Sequence, residues 1–486
     1  MTSSLKRQTA RTLKWNTIDR VSSQVIYAVV GVVLANTLSK QDFGLVGVLT
    51  IFQAFAIIFV DSGFGAALLQ KRDPGREDYS TVFWFNLIVS VTLYLILFFA
   101  APLIADIFGD RRLTAMSKVM FLSFVINGLG IVQTNRLMKL MDMRPVAMAN
   151  LAALVISGTL GVWLALTGAG AWALVWQTVS LAAVKTLLLW IGGGWIPSLL
   201  FSRSALADIR RVGVSVFSSS LLNTLFLQIY NFVIGAFYSL QALGIYTQAD
   251  KWSKMGSASI SQILTSSFVP LLAKVQDNPD DFRRYARRID RFTAMLLFPF
   301  MTGLAVVGAP LFHLLFGHKW DQAIPLFVLL MLRGIFVVLQ SLYNNYLLAM
   351  GKARGIFVME VAKDLLTAAA LLSTVWTMSL DWLVWGQLAA ALLTWVAALF
   401  IVRHSCGLAI REMLAHLLPF AALTALMAIV ALCAGTLSDI PALRLTAMAL
   451  PGATVYAGAI LLCRMPEANE FLQMLQRKKT VGKPSN

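Results

Sequence analysis

Apolar residues run along this chain in fourteen stretches of roughly membrane-crossing length, parted by short polar or basic segments. About 20 mostly apolar residues span the hydrocarbon core of a bilayer as a helix. Residues 87–103, 146–167, 171–191 and 445–463 meet or approach that length with hardly a charge inside them. The pattern predicts helices near 15–38, 44–68, 80–103, 113–134, 146–167, 170–191, 212–237, 242–273, 292–308, 321–350, 355–376, 381–402, 413–434 and 445–463. The expected fold class is an all-α polytopic membrane protein.

The first twelve stretches read as two sets of six. Ala101-Pro102-Leu103 leads to Phe108-Gly109, and Ala309-Pro310-Leu311 leads to Phe316-Gly317 in the same frame. Ser39-x-Gln41-x-x-Gly44 is echoed by Ser239-x-Gln241-x-x-Gly244, and Asn135-x-Leu137 before Arg144 by Asn345-x-Leu347 before Arg354. The matches keep their order, and their offset drifts slowly, as small loop insertions require.

Lys and Arg then orient the helices, because cytoplasmic loops carry the positive excess. With the N-terminus inside, cytoplasmic segments hold 28 of the 40 Lys and Arg residues, and the outer loops only Lys40, Arg111, Arg112, Lys319 and Arg444. Both termini are therefore expected in the cytoplasm. Helices 1 and 7 both start inside, so the halves are parallel, the repeat type related by an axis along the membrane normal. The expected organisation is an N-terminal lobe over 1–194, a cytoplasmic linker over 195–211 and a C-terminal lobe over 212–402. Two further helices over 403–463 and a basic tail over 464–486 complete it.

Composition agrees: 58% hydrophobic residues, 13% charged and a mean hydropathy of +0.75 exclude a soluble enzyme. The net charge of +17 is mostly the positive-inside surplus, clustered in the loop residues 282–288 and the tail, where it also attracts anionic lipid head groups. It calls for no nucleic acid. Cys406, Cys433 and Cys463 imply no disulfide framework, and the four histidines, His313, His318, His404 and His416, show no metal-ligand spacing. There is no short apolar region with a cleavage site near the start, so no signal peptide is expected. Loops of about 20 residues at most leave no room for a catalytic domain outside the membrane.

An ionisable side chain within a spanning helix is costly unless it meets water or a partner, which makes it a functional candidate. Asn16, Arg20, Ser23, Tyr27 and Gly31 share one helical face. So do Thr247, Lys251, Lys254, Ala258, Ser261 and Thr265. With Ser215, Ser219 and Asn223, and with Arg333, Gln340 and Asn344, they suggest helices around a common water-filled space. The bases are Arg20, Lys118, Lys185, Lys251, Lys254, Arg333 and Lys363; the acids are Asp19, Asp61, Asp250, Glu360 and Asp364. Snorkelling to an interface accounts for Lys118 and is open for Asp19, Arg20 and Lys185. Glu360, Lys363 and Asp364 lie close enough to neutralise one another. Lys251, Lys254 and Arg333 remain, with only Asp250 nearby, and a surplus of bases suits an anionic ligand such as a pyrophosphate. Asp61, Asp250 and Glu360 are candidates for carrying a coupling proton or Na⁺, with structural ion pairing as the alternative for each. No P-loop, GxSxG, HExxH or dinucleotide-binding glycine pattern is present, so no cofactor, no metal and no catalytic site is expected.

The segment Trp15-Asn16-Thr17, Gly31 to Leu38, Asp42-Phe43-Gly44-Leu45 and Asp61-Ser62-Gly63-Phe64-Gly65-Ala66-Ala67-Leu68 resembles the start of bacterial polysaccharide exporters. These are the Wzx-type, colanic-acid-exporter-like members of the multidrug/oligosaccharidyl-lipid/polysaccharide superfamily, in which L-S-x-x-D-F-G precedes D-x-G-F-x-x-A-L. The resemblance covers about the first 150 residues in detail and the whole helix plan in outline. It implies two lobes rocking about a central cavity and a substrate of undecaprenyl-diphosphate-linked oligosaccharide, moved from the cytoplasmic to the periplasmic leaflet of the inner membrane. The family's cationic cavity corresponds, by helix and polarity, to Arg20, Lys251, Lys254 and Arg333. Membrane lipids surround such a protein, and polymerases or chain-length regulators are its candidate partners. Competing expectations are a lipid II flippase, a cation-coupled multidrug exporter, which would favour acids over bases in its cavity, and a membrane-embedded polymerase or ligase, which would need a large outer loop.

Overall fold

A computed structural model of the chain describes residues 3–463, except 62, 276, 277, 375, 376 and 378, together with residue 465. The basic tail expected over 464–486 otherwise lies outside the described residues. The chain divides into two compact units, Met1–Thr247 and Gln248–Asn486. The first holds α1 (Ser3–Thr37), α2 (Lys40–Asp61), α3 (Phe64–Gln70), α4 (Arg76–Phe108), α5 (Arg112–Met120), α6 (Leu122–Lys139), α7 (Arg144–Leu166), α8 (Trp172–Gly193) and α9 (Arg203–Val233), which ends in a π-helical turn. Helix α10 (Leu240–Ala273) begins in the first unit and continues into the second. There follow α11 (Pro279–Val306), α12 (Gly308–Phe316), α13 (Ala323–Ala349), α14 (Ala353–Thr374), α15 (Leu380–Cys406), α16 (Ile410–Ala434) and α17 (Pro441–Leu462).

Each of the fourteen expected segments falls on helix. Among the described residues, twelve helical stretches are long and apolar enough to cross a membrane. The other two expected spans, α10 and α14, are long enough but carry the densest internal charge: Asp250, Lys251 and Lys254 in one, Glu360, Lys363 and Asp364 in the other. Their apolar faces are diluted by the residues that make them candidates for function.

Small residues bring the helices together, as is usual where lipid supplies no hydrophobic drive between them. A Cβ at Gly158 of α7 would lie 2.7 Å from Val30 of α1, and one at Gly130 of α6 would lie 2.8 Å from Thr186 of α8. Outward positions such as Phe99 and Leu103 keep large apolar side chains exposed.

The L-S-x-x-D-F-G segment has a physical explanation. Ser39 precedes α2, and its amide and hydroxyl both donate to Asp42 Oδ2, at 2.9 and 2.6 Å. The Asp42 amide in turn donates to Ser39 Oγ at 3.1 Å, a capping box of the kind that fixes a helix start. The other Asp42 oxygen accepts the Ala171 amide at 3.0 Å, tying the α7–α8 turn to α2. Ser239 caps α10 in the same way, accepting the Ala242 amide at 3.0 Å. The two capped ends then touch. A Cβ at Gly44 would fall 1.8 Å from the Leu240 carbonyl oxygen, and one at Gly244 would fall 1.9 Å from that of Lys40. The partners are offset by the same 200 residues as the glycines, so the contact is reciprocal, as a two-fold relation between repeated segments makes it.

Three local departures follow from specific residues. The expected helix 44–68 is interrupted after Asp61 by Gly63, whose φ of 69° suits glycine, and a Cβ there would strike the Gly213 carbonyl of α9 at 2.2 Å. Residues 282–288, expected as a loop, form the first turns of α11, because Phe282, Ala286 and Ile289 recur at helical spacing and are buried while the arginines stay outside. Asn278 caps that helix, accepting the Asp280 and Asp281 amides. The linker 195–211 is tied down over its first residues: Trp84 Nε1 donates to the Ser198 carbonyl at 2.8 Å, the Ser198 amide donates to Ser80 Oγ at 3.1 Å, and Gln133 Nε2 donates to the Trp195 carbonyl at 2.6 Å. Trp84→Phe with Ser80→Ala removes two of these ties, each worth about 1 kcal/mol net. Limited trypsin digestion of the purified variant is expected to cut at Arg203 roughly tenfold faster than in the parent, and an unchanged rate would mean that these bonds do not hold the linker.

Candidate functional site

In the first unit the polar face of α1 is only partly committed. Asp19 accepts Asn150 Nδ2 of α7 at 2.8 Å and Ser23 Oγ at 3.3 Å, and Asn150 also donates to Ser23 at 3.1 Å. Arg20, one residue on, is exposed. At the α2–α3 break, a Cβ on Gly65 would lie 2.3 Å from Asn135 Nδ2 and 2.4 Å from Asp61 Oδ1. Only a glycine lets the α6 amide and the α2 carboxylate close over that point. Lys185 lines a cavity of about 270 Å³ between α2, α6 and α8, with Asn127 and Thr134 beside it. It therefore has a polar space within the bundle besides the snorkelling route the sequence left open. Lys118 lies over the Phe98 ring at 4.6 Å.

In the second unit Asp250 Oδ2 and Lys254 Nζ form an ion pair at 2.6 Å, one helical turn apart. The aspartate is largely buried and the lysine half exposed, so the pair offsets part of the charge on this face. Lys251 is half-buried. Its ammonium lies 5.5 Å from the ring centre of Trp252, which in turn packs on Phe316 at 5.6 Å. Helix α13 borders this stretch of α10: a Cβ at Gly334 would lie 3.5 Å from Ser257 Cβ. Arg333, the residue before Gly334 in α13, is half-buried too. Neither Lys251 nor Arg333 has a carboxylate at ion-pair distance among the described residues. Ser215 and Thr265, expected on the same polar faces, have side chains outside the described residues.

The acids expected as ion carriers differ in their surroundings. Glu360 pairs with Lys363, and Lys363 lies 3.9 Å from Asp364, so one base offsets part of the charge of two acids on α14, as their spacing suggested. Asp61 faces Asn135, and Asp250 faces Lys254.

One buried group went unread in the sequence. Asp290 of α11, 1% exposed, accepts the Tyr346 hydroxyl of α13 at 2.8 Å and lies 3.7 Å from His416 Nδ1 of α16. Tyr346 also reaches the Ala286 carbonyl at 3.1 Å. Asp290 sits next to Ile289 at the end of an arginine-rich stretch, where its place in the heptad-like burial pattern was the one available signal. Nothing in one sequence pairs it with residues 56 and 126 positions away.

Residues 33–325, more than half of the chain, match the model of the polysaccharide biosynthesis protein family. The chain belongs to that family. Among curated proteins it is 28% identical over 385 residues to the teichuronic acid biosynthesis protein TuaB of Bacillus subtilis, spanning 79% of this chain and 80% of TuaB. It is 25% identical to the succinoglycan biosynthesis transport protein ExoT of Rhizobium meliloti over 74% of this chain and 73% of ExoT. Among solved structures the fold is similar to that of the lipid II flippase MurJ in an inward closed conformation, with a TM-score of 0.74, 14% identity and coverage of 92% of this chain and 98% of MurJ. A multidrug resistance MATE transporter of the MOP superfamily, facing inward, follows with a TM-score of 0.59, 17% identity and coverage of 78% and 95%. This member of the family is a multi-pass protein of the bacterial inner membrane. The family match includes Asp61, Asp250, Lys251 and Lys254, and leaves Arg20, Arg333 and Glu360 outside it.

Proposed function

We propose that the chain is a flippase that moves undecaprenyl-diphosphate-linked oligosaccharide units from the cytoplasmic to the periplasmic leaflet, for assembly of an exopolysaccharide, capsule or O-antigen. The proposal includes fourteen crossings with both termini inside, lobes over 1–194 and 212–402, and a linker over 195–211. Alternating access between the lobes exposes the cationic residues Arg20, Lys251, Lys254 and Arg333 to the head group. The observation that carries the reading is two half-buried bases, Lys251 in α10 and Arg333 in α13, with no carboxylate at ion-pair distance among the described residues. A base in that setting is stabilised by an anion that brings its own charge, and a diphosphate does so while its lipid tail stays in the bilayer. Asp61, Asp250 and Glu360 are the coupling acids of this reading, with Asp61 the one that has no basic partner at ion-pair distance among the described residues. Polymerases and chain-length regulators are its proposed partners.

Reconstitution in liposomes with a fluorescent undecaprenyl-diphosphate oligosaccharide tests the proposal. Wild type is expected to exchange the lipid between leaflets, and Lys251→Ala/Arg333→Ala to slow exchange by about 10- to 100-fold, the worth of one or two charge-assisted bonds. Exchange indifferent to both bases would remove them from the site. Appearance of polymer or of a transferred glycan would replace the transporter by an enzyme.

A further inference from the structure

The corner between α12 and α13 gathers two imidazoles and a carboxylate. His313 Nε2 lies 3.0 Å from Asp321 Oδ1, and His318 Nδ1 lies 3.1 Å from Asp321 Oδ2. The two rings are 4.6 Å apart at their centres. One donor atom from each of the three residues lies within 4.8 Å of the others. We propose that His313, His318 and Asp321 bind a divalent transition-metal cation of the Zn²⁺, Ni²⁺ or Cu²⁺ class.

The chemistry of the donors selects that class. Imidazole nitrogen favours borderline cations, whereas Mg²⁺ and Ca²⁺ require shells of oxygen. A tetrahedral zinc with bonds near 2.0–2.1 Å sets neighbouring donors about 3.3 Å apart, so donors already within 4.8 Å of one another need only a short side-chain movement to meet it. Metal entry replaces the two contacts to Asp321 by nitrogen–metal bonds and releases the protons held there. Water fills the fourth position, since the side chains of His318 and Asp321 are open to solvent, 80% and 48% exposed.

The corner is also held in place. Gly317, at φ 60° and ψ −148°, turns the chain from α12 into a 3₁₀ turn over Gly317–Trp320. Trp320 is 1% exposed and anchors that turn, and Phe312 and Phe316 bury the opposite side of α12. His318 and Asp321, three residues apart, therefore face His313 from a fixed base. Preorganised ligands bind with little ordering cost. The positive-inside assignment puts the corner on the outer side of the membrane, in reach of external metal.

Full-length protein purified without an oligohistidine tag tests the proposal, by calorimetric titration with Zn²⁺ and by the visible spectrum of added Co²⁺. One equivalent per chain is expected, with a Co²⁺ spectrum of low-coordinate nitrogen and oxygen ligation. His313→Ala/His318→Ala, which keeps His404 and His416, is expected to weaken binding by at least about 100-fold, and Asp321→Asn by about tenfold. All variants are expected to melt and elute as the parent does, because His318 and Asp321 are open to solvent and His313 partly so. Equal affinity in the double variant, or no binding by the parent at about 100 μM Zn²⁺, would overturn the assignment.

Discussion

Gly44→Val is expected to stop leaflet exchange while the protein still inserts and purifies as a folded monomer. The α2 and α10 ends meet through Gly44 and Gly244, and a Cβ at either would lie within 2 Å of a backbone carbonyl oxygen, 1.8 Å in one case and 1.9 Å in the other. Added core atoms usually cost about 1–3 kcal/mol because side chains can shift. Here the obstacle is backbone in a capped helix, so at least about 3 kcal/mol is expected, a shift of roughly 100-fold or more against the arrangement with this contact. Cysteines placed at the exposed positions Gln41 and Gln241, in a background without Cys406, Cys433 and Cys463, report the contact through a short bifunctional thiol reagent. Cross-linking in the parent and its loss with Gly44→Val is the expected outcome. Gly244→Val is expected to behave in the same way, since the contact is reciprocal. Undiminished cross-linking in both variants would show that the helix ends approach each other differently.

The second large effect concerns stability. Asp290 ties α11 to α13 through Tyr346 and faces His416 of α16 within a buried cluster that includes Phe282, Tyr343, Met359 and Val402. Asp290→Ala leaves the Tyr346 hydroxyl without the carboxylate and His416 without its facing acid. Each orphaned buried polar group costs about 1–3 kcal/mol, and the lost volume adds to that. A total of about 3–5 kcal/mol, read as a fall of roughly 5–15 °C in the melting temperature of the detergent-solubilised protein, is expected. Asp290→Asn keeps an acceptor for Tyr346 and is expected to recover at least half of the loss. Tyr346→Phe, which removes the donor alone, is expected to fall between the two. An Asp290→Ala protein melting within about 1 °C of the parent would mean that the buried group does not hold these helices together.

Much of the fold was legible because a membrane imposes its rules along the chain. Apolar length sets where helices lie. The repeated serine and glycine of residues 39–44 and 239–244 marked a pair of capped helix starts, and the structure supplies the reason for each letter. The ion pairing on α14 was legible for the same reason: Glu360, Lys363 and Asp364 are neighbours on one helix. The site was read less fully. Asp250 and Lys254 share a helix, so their pairing could be anticipated, whereas the approach of α13 to α10 at Gly334 and Ser257 could not. The triad of Asp290, Tyr346 and His416 and the corner of His313, His318 and Asp321 were both missed. Three helices supply the first, and the backbone of Gly317 folds the second back on itself.

The sequence by itself located the apolar helical stretches, because burial in lipid acts on runs of neighbouring residues. The tertiary structure alone decided that the helix breaks at Gly63, that Asp290 meets Tyr346 and His416, and that Gly44 and Gly244 face each other. Those outcomes depend on close approach between atoms far apart in the chain, where a difference of one methyl group or one hydrogen bond selects the packing.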